Sequence, residues 1–378
     1  MAYDIIIQNG RIIDPARGID RIGTVYVKED RIAETANEDT ADAAQVIDGT
    51  GCLVLPGLID FHTHLFHTGS LFGAPPDSAL LPLGVTTAID AGSAGIANYG
   101  AFHNSVVANS FVRIKSLLNV AAEGQVTECY PENLNPKFYD ASRIAGLFRK
   151  YRGELLGLKI RVSKGVVDDL APLRRTVQIG EEVGCPVAVH ATDPPREMEE
   201  LVKLLRGGDI LVHAYHGKGN TIIGSNGKVL PEVWDGRRRG ILIDVANGIN
   251  NFAFQTARAA LSDRFKPDII SSDLTIQSMY RFPVFGLPYL ISKYLSLGMD
   301  LTEIIAACTA TPARLIGMEG EIGTLAPGSC ADIAVFKLAD TTVRFADSMG
   351  ETVAGGQLLI PKLTVRAGRV VFRQVDFV

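Results

Sequence analysis

Three segments near the start of the chain alternate apolar and polar residues, with turn-forming residues between them. They cover most of residues 1–55, the third running on to residue 57, and read DIIIQNGRIID, TVYVKEDRIAE and QVIDGTGCLVLPG. A period of two is typical of β-strands that bury one face. We therefore expect short antiparallel strands in this part of the chain.

From residue 58 the pattern changes to short apolar runs that end in a polar residue and are followed by longer helical stretches. Eight such runs occur: GLIDFHTH, GVTTAIDAG, RIKSLLNVAAEG, GLKIRVS, VAVHATD, ILVHAYH, ILIDVAN and DIISSD. The seven intervals from the first run's end to the last span 209 residues, or about 30 each, which is the length of a βα unit. Stretches such as 168–184, 196–208 and 256–265 have apolar residues at helical spacing. The pattern predicts an α/β fold, a (β/α)8 TIM barrel.

The strand pattern returns after residue 319, in GTLAPGSCADIAVFKL and GGQLLIPKLTVRAGRVVFRQ. The N-terminal and C-terminal pieces are each too small to bury a core alone. We expect residues 1–55 and 320–378 to form one composite β-sandwich domain, and residues 56–319 to form the barrel.

The composition of the 378 residues, 47% hydrophobic and 21% charged, is that of a globular protein. A net charge of −5 lacks the basic excess that nucleic acids select, so we expect a small-molecule substrate and no nucleic-acid partner. No apolar run approaches the roughly 20 residues of a membrane span, and the first ten residues have no basic signal region. We expect no membrane association and a cytoplasmic location. The sequence leaves the oligomeric state open, a homo-oligomer included.

The five cysteines are odd in number and show no C-x-x-C spacing, which argues against a disulfide framework and against a thiolate zinc site. The candidate chemistry lies instead at the predicted strand ends, where barrels of this type carry their active sites. Strand one ends in His62-Thr63-His64, and the period of two turns both imidazoles to the same face.

Three further strand ends carry a single potential ligand each: strand five ends in His190, strand six in His213 and strand eight in Asp273. Imidazole nitrogen and carboxylate oxygen suit Zn²⁺ or a similar ion. Strand four contributes Lys159, which could ligate only after carbamylation by CO2, when it becomes a carboxylate able to bridge two metals. The occurrence of all six residues on strands one, four, five, six and eight predicts a metal site.

At this point the sequence resembles a known family, the amidohydrolase superfamily. The resemblance lies in PGLIDFHTH (Pro56 to His64), in Lys159, His190, His213 and Asp273, and in GTLAPGSCADIAVF (323–336). It implies a distorted barrel with two divalent metal ions, most simply Zn²⁺. His62, His64 and Asp273 would hold one ion, His190 and His213 the other, with carbamylated Lys159 between them.

The resemblance also suggests a subgroup. Dihydroorotases carry an arginine two residues after the second histidine, where this chain has Phe66, so that assignment is disfavoured. In deacetylases of another branch a glutamate after strand three is a ligand, and Glu123 competes with Lys159 on that ground; we favour Lys159 because it lies inside an apolar strand. With the run HAYHGKGN (213–220), the chain most resembles a bacterial amidohydrolase/deacetylase subgroup of this superfamily.

The residues imply a mechanism. A hydroxide bridging two Zn²⁺ ions would attack the carbonyl of an amide or ester, while Asp273 takes the proton and passes it to the leaving nitrogen or oxygen. We expect a zinc-dependent hydrolase acting on N-acyl amino acids or O-acetyl hydroxy acids. The alternatives are a cyclic amidohydrolase of the dihydroorotase or hydantoinase type, and a deaminase with a single metal held by His62, His64, His190 and Asp273.

Substrate contacts are expected from the same rim of the barrel. Arg161 lies two residues after Lys159, hence on the same face of strand four, and could pair with a substrate carboxylate. His216, Asn247 and Tyr130 are further candidates, together with Asn220 and Gly248. Asp60 shares the face of His62 but lies deeper, so we expect it to orient a ligand or join a buried polar network.

Overall fold

The N-terminal strands lie in a sheet built around one long central strand. The structure, a computed structural model, describes residues 3–34, 42–127 and 129–377. The first five strands are β1 (Tyr3–Asp14), β2 (Ile19–Lys28), β3 (Arg31–Ile32), β4 (Ala43–Asp48) and β5 (Leu53–Pro56). β1 pairs antiparallel with β2 but parallel with β4 and with β5. The prediction that all of these strands are antiparallel is therefore wrong, because β4 and β5 follow one another in the same direction along one edge of β1.

The middle of the chain alternates strands and helices. In order they are β6 (Leu58–Thr63), α1 (Pro76–Leu80), β7 (Val85–Ala91), α2 (Tyr99–Ser105), β8 (Arg113–Asn119), α3 (Ala141–Lys150), β9 (Leu155–Arg161), α4 (Ala171–Val183), β10 (Val187–His190), α5 (Met198–Leu204), β11 (Ile210–Val212), α6 (Pro231–Arg238), β12 (Leu242–Asp244), α7 (Phe254–Ser262), α8 (Leu287–Ser296), α9 (Leu301–Cys308) and α10 (Ala310–Leu315). Short 3-10 turns occur at Pro15–Arg17, Leu81–Leu83, Val107–Asn109 and Pro136–Phe138. Within the described ranges, β6 to β12 form a curled parallel sheet of seven strands in chain order.

The eighth predicted strand, DIISSD, is not a strand. Residues 269–274 instead make isolated parallel bridges to both edges of the sheet, Asp244 with Ile269 and Thr63 with Leu274. The Asp60 side chain, rather than a neighbouring strand, accepts the Ser272 amide at 2.9 Å. We call residues 269–274 the closing segment. It links β12 to β6 through side-chain hydrogen bonds and isolated backbone bridges, because the regular strand ladder is interrupted here.

The last strands return to the N-terminal sheet. They are β13 (Ile333–Ala346), β14 (Thr352–Arg366) and β15 (Arg369–Arg373). β13 pairs antiparallel with β5, so that the two ends of the chain share one mixed sheet of eight strands in the described part of the molecule. The sequence predicted this joining; the arrangement as a sandwich and the domain limits at residues 55/56 and 319/320 stay predictions.

The largest buried apolar cluster connects the barrel with this mixed sheet. It includes Leu53 and Phe336 from the sheet and residues of most barrel strands and helices. A second cluster lies within the mixed sheet itself, among β1, β2, β5, β13 and β14. The barrel strand ends are thus held on a rigid, continuously packed base. Across the described residues, no helix has the length and apolarity that a membrane crossing requires.

Candidate metal centre

Two histidines at the end of β6 and one aspartate of the closing segment form a group of three potential ligands. Ligand atoms of His62, His64 and Asp273 all lie within 4.8 Å of one another. Asp273 Oδ1 is 3.4 Å from His64 Nε2 and 3.6 Å from His62 Nε2. The two imidazoles are buried, and the Asp273 side chain is 12% exposed. The arrangement offers two nitrogens and one oxygen to a single ion.

The remaining three predicted ligands lie beside this group. Lys159 Nζ is 3.0 Å from His62 Nε2. His213 and His190 approach each other to 2.9 Å between ring nitrogens, and the ring centroids of His62 and His213 are 5.2 Å apart. The structure therefore brings all six side chains to one end of the parallel sheet.

The backbone is unusual at two of these residues. His213 and Asp273 have φ angles of 62° and 54°, in the left-handed region that residues other than glycine rarely adopt. Such conformations persist only where the surroundings hold them. His213 is held by its Nδ1, which donates to the Ala246 carbonyl at 2.6 Å. Asp273 is held by Asn251, whose amide Nδ2 donates to Oδ2 at 2.8 Å.

Gly248 also matters for the position of Asp273. Its φ is 55°, and a Cβ atom at this position would lie 2.3 Å from Asp273 Oδ2. The aspartate can thus occupy its place only because residue 248 has no side chain. Gly248 was a candidate for substrate contact. Its placement indicates instead that it leaves room for the Asp273 side chain.

The ring nitrogens of His62 and His64 that face away from Asp273 point to polar side chains. His64 Nδ1 is hydrogen-bonded to Ser93 Oγ at 3.0 Å, whereas His62 Nδ1 lies 3.7 Å from Asp244 Oδ2, beyond hydrogen-bond distance. A hydrogen bond like that of His64 is typical of metal-binding histidines, since it orients the ring and fixes which nitrogen faces the ion. Sequence reasoning did not assign Ser93 or Asp244 to the site. Asp244 did carry a signal, because it is a carboxylate at a predicted strand end.

Burial sets the charge of these groups. It lowers the pKa of His62 and His190 well below the ordinary value and that of His213 to about 3, so these imidazoles are neutral and their lone pairs are available. Burial also lowers the pKa of Lys159 to about 8, although the Asp273 carboxylate opposes the shift. Burial alone would raise the pKa of Asp273, but the hydrogen bond with His64 and the nearby imidazoles outweigh it and lower that pKa.

This donor set fits a divalent metal ion of the zinc type. Neutral imidazole nitrogens and an ionised carboxylate are the ligands that such ions take, and the opposite ring nitrogens of His64 and His213 are held by the Ser93 hydroxyl and the Ala246 carbonyl. The four histidines and Asp273 are thus chemically suited to the role that the sequence predicted for them, and Lys159 would be so only as a carbamate.

A cavity of about 670 Å³ opens directly onto the metal centre, and its walls include His64, Lys159, His190 and Asp273. Arg161 and Tyr130 also line it. Arg161 makes an ion pair with Glu132, at 2.5 Å from Nη2 to the carboxylate. Tyr130 is 59% exposed, at the mouth of the cavity.

Two other predicted substrate contacts do not reach the cavity. His216 and Asn247 are fully buried. The His216 ring accepts the Lys218 amide, and the Asn247 side chain donates to the Tyr294 hydroxyl at 3.1 Å. The geometry does not support direct substrate contact for either residue, because their side chains point into the protein. Asn220, whose side chain donates to the Arg196 carbonyl, lies outside the cavity wall as well.

The position of Glu123 bears on its competition with Lys159. The Glu123 carboxylate accepts the backbone amide of Asn133 at 2.9 Å, and the residue is absent from the cavity wall that Lys159 helps to form. The geometry favours Lys159 as the residue between the two ligand groups. Asp60 lies below His62, is buried, and accepts both the amide and the hydroxyl of Ser272, as expected for a member of a buried polar network.

The chain is similar in sequence and in structure to several known proteins. The family model described as the amidohydrolase family matches residues 53–371. A deacetylase of Agrobacterium fabrum is 32% identical over 324 residues, which are 85% of this chain and 79% of that protein. A solved adenine deaminase has a TM-score of 0.89 at 28% identity and covers 98% of this chain and 100% of its own. A solved dihydroorotase has a TM-score of 0.88 at 30% identity, with 98% of both chains covered.

Proposed function

The chain belongs to the amidohydrolase family, and we propose that it is a metal-dependent hydrolase that cleaves the amide or ester acyl bond of a small carboxylated substrate. N-acyl amino acids and O-acetyl hydroxy acids are the substrate classes that we favour. The observation that carries the proposal is the convergence of His62, His64 and Asp273 within 4.8 Å at the floor of a cavity.

We assign one divalent ion to His62, His64 and Asp273 and a second to His190 and His213. Zn²⁺ is the ion that best suits this set of nitrogen and oxygen donors. When bound, such ions lower the pKa of water and polarise an acyl carbonyl. The contribution of the chain is to hold these donors in place and to exclude competing groups from the floor of the cavity.

Lys159 would join the two groups as a carbamate. In this step the neutral amine nitrogen attacks the carbon of CO2, a C–N bond forms, and one proton is released to solvent. The reaction needs an uncharged amine, and a pKa of about 8 gives Lys159 an appreciable neutral fraction near neutral pH. The 3.0 Å approach of Nζ to His62 Nε2 supports a ligand position for the modified side chain.

Asp273 is the proton carrier in this proposal. Its Oδ1 faces the two imidazoles and its Oδ2 is fixed by Asn251, so the carboxylate is oriented and ionised. It accepts a proton from the attacking water and gives it to the leaving nitrogen or oxygen. Arg161, on the cavity wall, supplies a positive charge for a substrate carboxylate.

The likeness to a protein named as a deacetylase supports an acyl bond as the point of cleavage. The test is a hydrolysis screen with zinc-loaded protein, using N-acetyl D- and L-amino acids, O-acetyl hydroxy acids, cyclic amides and adenine. We expect acetate release from the first two classes and its loss after chelation. Turnover of adenine alone, with release of ammonia, would overturn the proposal.

A deaminase with one metal ion is the second candidate. It is favoured because His62, His64 and Asp273 by themselves form a group of three potential ligands within 4.8 Å of one another, and by the likeness to a solved adenine deaminase. The two candidates differ in metal content, since the first requires two ions per chain and a carbamate on Lys159, whereas the second requires one ion and an unmodified lysine.

A further inference from the structure

Among the described residues, two hydrogen-bond donors on the wall of the cavity are buried without a partner in the protein. They are Arg161 Nε and Ser163 Oγ, and both residues line the cavity that opens onto the metal centre. Buried polar groups nearly always have a partner. Two neighbouring donors that lack one, on the wall of a cavity, indicate that something bound in the cavity supplies it.

The strand geometry places both residues on the same side as Lys159. Arg161 is the last residue of β9 and pairs directly with His190 of β10. The chain stays extended beyond this point, because the Val162 amide donates to the His190 carbonyl at 2.8 Å. Side chains two residues apart share a face, so Ser163 continues the row at a rise of about 7 Å beyond Arg161. The two donors therefore lie beyond Lys159 along the same face of the chain, and both line the cavity.

Glu132 determines which part of the Arg161 guanidinium is free. Its carboxylate is 2.5 Å from Nη2, and its side chain is only 4% exposed. One end of the guanidinium is thus occupied, while the Nε edge remains without a partner. Glu132 also contributes a negative charge, which favours a singly charged carboxylate over a doubly charged group such as phosphate.

We propose that Arg161 Nε and Ser163 Oγ together bind the carboxylate of the substrate's leaving group, and that Glu132 is a positioning residue that holds the guanidinium for this contact. The proposal rests on the proposed function and deepens it by defining the substrate class. We place this carboxylate on the carbon that bears the scissile nitrogen or oxygen, as in the N-acyl amino acids and O-acetyl hydroxy acids proposed above. Two donors meeting the two oxygens of a carboxylate give both affinity and orientation.

The test compares N-acetylalanine with N-acetylalaninamide, in both enantiomers, on zinc-loaded protein. Ser163→Ala should raise KM for the acid about tenfold, the effect of losing one charge-assisted hydrogen bond, with kcat within about twofold. The amide should be unaffected. Arg161→Gln should lower kcat/KM for the acid at least about 100-fold and for the amide no more than about fivefold.

Two further variants separate a local contact from a general charge effect. Lys218 is another cation on the cavity wall, and Lys218→Gln should change acid and amide equally. Glu132→Gln keeps an acceptor for Arg161 and should preserve the preference for the acid, whereas Glu132→Ala should lose it. The proposal is wrong if Ser163→Ala affects acid and amide alike, or if Lys218→Gln removes as much of the preference as Arg161→Gln.

A binding measurement keeps this test independent of catalysis. Calorimetry with lactate, against lactamide, should show binding of lactate to zinc-loaded protein and about tenfold weaker binding to Ser163→Ala. If no acylated compound is hydrolysed but this difference is found, the carboxylate site stands and the proposed function fails. If acylated compounds are hydrolysed but acid and amide are treated alike, the function stands and the carboxylate site is wrong.

Discussion

Asp273 combines three features that rarely occur in one residue. It has a left-handed backbone conformation, it approaches two histidines with one carboxylate oxygen, and it is fixed through the other oxygen by Asn251. Strained backbone at a residue with converging polar groups is characteristic of functional sites. We propose on this ground that Asp273 carries the proton in the reaction.

Replacing this carboxylate should therefore abolish most of the activity. Asp273→Asn keeps the size and the hydrogen-bonding shape of the side chain but cannot accept the proton, so we expect kcat to fall by at least about 100-fold. Steady-state kinetics on the best acylated substrate would measure it. Asp193→Asn, at another carboxylate of the cavity wall, is the matched control and should change kcat by less than about threefold. An Asp273→Asn protein with more than half of the wild-type activity would contradict the assignment.

For individual residues, the sequence predicted members of the site wherever a polar residue ended a predicted strand. His62, His190, His213 and Lys159 were found in this way, because barrel strands point their carboxyl ends toward one site. Glu132 and Ser163 were not found, since a loop position and a single serine have no periodicity that marks them. His216 lies in the run after β11 that drew attention to it, but local sequence does not show that its ring turns inward.

The closing segment shows how one side chain replaces a strand ladder. Asp60, on β6, accepts the Ser272 amide at 2.9 Å and the Ser272 hydroxyl at 2.5 Å. These bonds fix the residue that precedes Asp273. The position of Asp273, the candidate proton carrier, thus depends on the buried carboxyl group of Asp60, which lies two residues before His62 on β6.

A pair of substitutions at this position tests the dependence. Asp60→Asn can still accept the Ser272 amide, while Asp60→Leu cannot and leaves that buried N–H without a partner. We expect Asp60→Leu to lower the free energy of unfolding by about 1–3 kcal/mol and to weaken metal binding, and Asp60→Asn to do much less of both. Urea unfolding and metal titration would measure this. Equal effects of the two variants would show that the hydrogen bond does not hold the segment.

The sequence predicted the location of the closing segment but not its structure. DIISSD has the apolar run and polar end of the other seven barrel strands, so periodicity alone could not separate them. The difference arises from tertiary contacts: Asp60 binds the backbone at Ser272, and Asp273 turns into the left-handed region. The first of these contacts joins residues that are 212 positions apart in the chain, which local periodicity cannot reveal.

At the scale of the whole molecule, the barrel and the mixed sheet meet at a buried lysine. Lys293 of α8 is 1% exposed, and its Nζ lies 4.6 Å from the centroid of the Phe252 ring. The neighbouring residue Ser292 accepts the backbone amide of Leu359 in β14 at 2.9 Å. Burial lowers the pKa of Lys293 to about 7, although the Asp347 carboxylate opposes the shift.

This lysine makes stability depend on pH. In the unfolded chain its pKa is near the ordinary 10.5, so between pH 7 and pH 10.5 the unfolded state binds more protons than the folded state. The free energy of unfolding should therefore rise with pH across this range, by a few kcal/mol at most. Urea unfolding of wild type and Lys293→Met at pH 7 and pH 9.5 would measure it. The rise should be smaller in Lys293→Met, and parallel curves for the two proteins would contradict this origin.

The overall architecture was largely predictable because a (β/α) barrel repeats one pattern seven or eight times, and repetition makes each element's period visible. The parallel pairing of β4 and of β5 with β1 was not predictable, since strand direction depends on how the connecting turns run in space. The joining of both chain ends in one sheet was predictable from size alone, because neither piece could bury a core by itself.

The central claim is that six side chains at the barrel's carboxyl end hold two divalent metal ions. Metal analysis of the purified zinc-loaded protein, with Lys159→Ala beside it, tests this claim most directly. We predict about two equivalents of metal per chain in the wild type, and at most one in Lys159→Ala, because the bridging ligand is lost. One equivalent in both proteins, or none in either, would contradict the account.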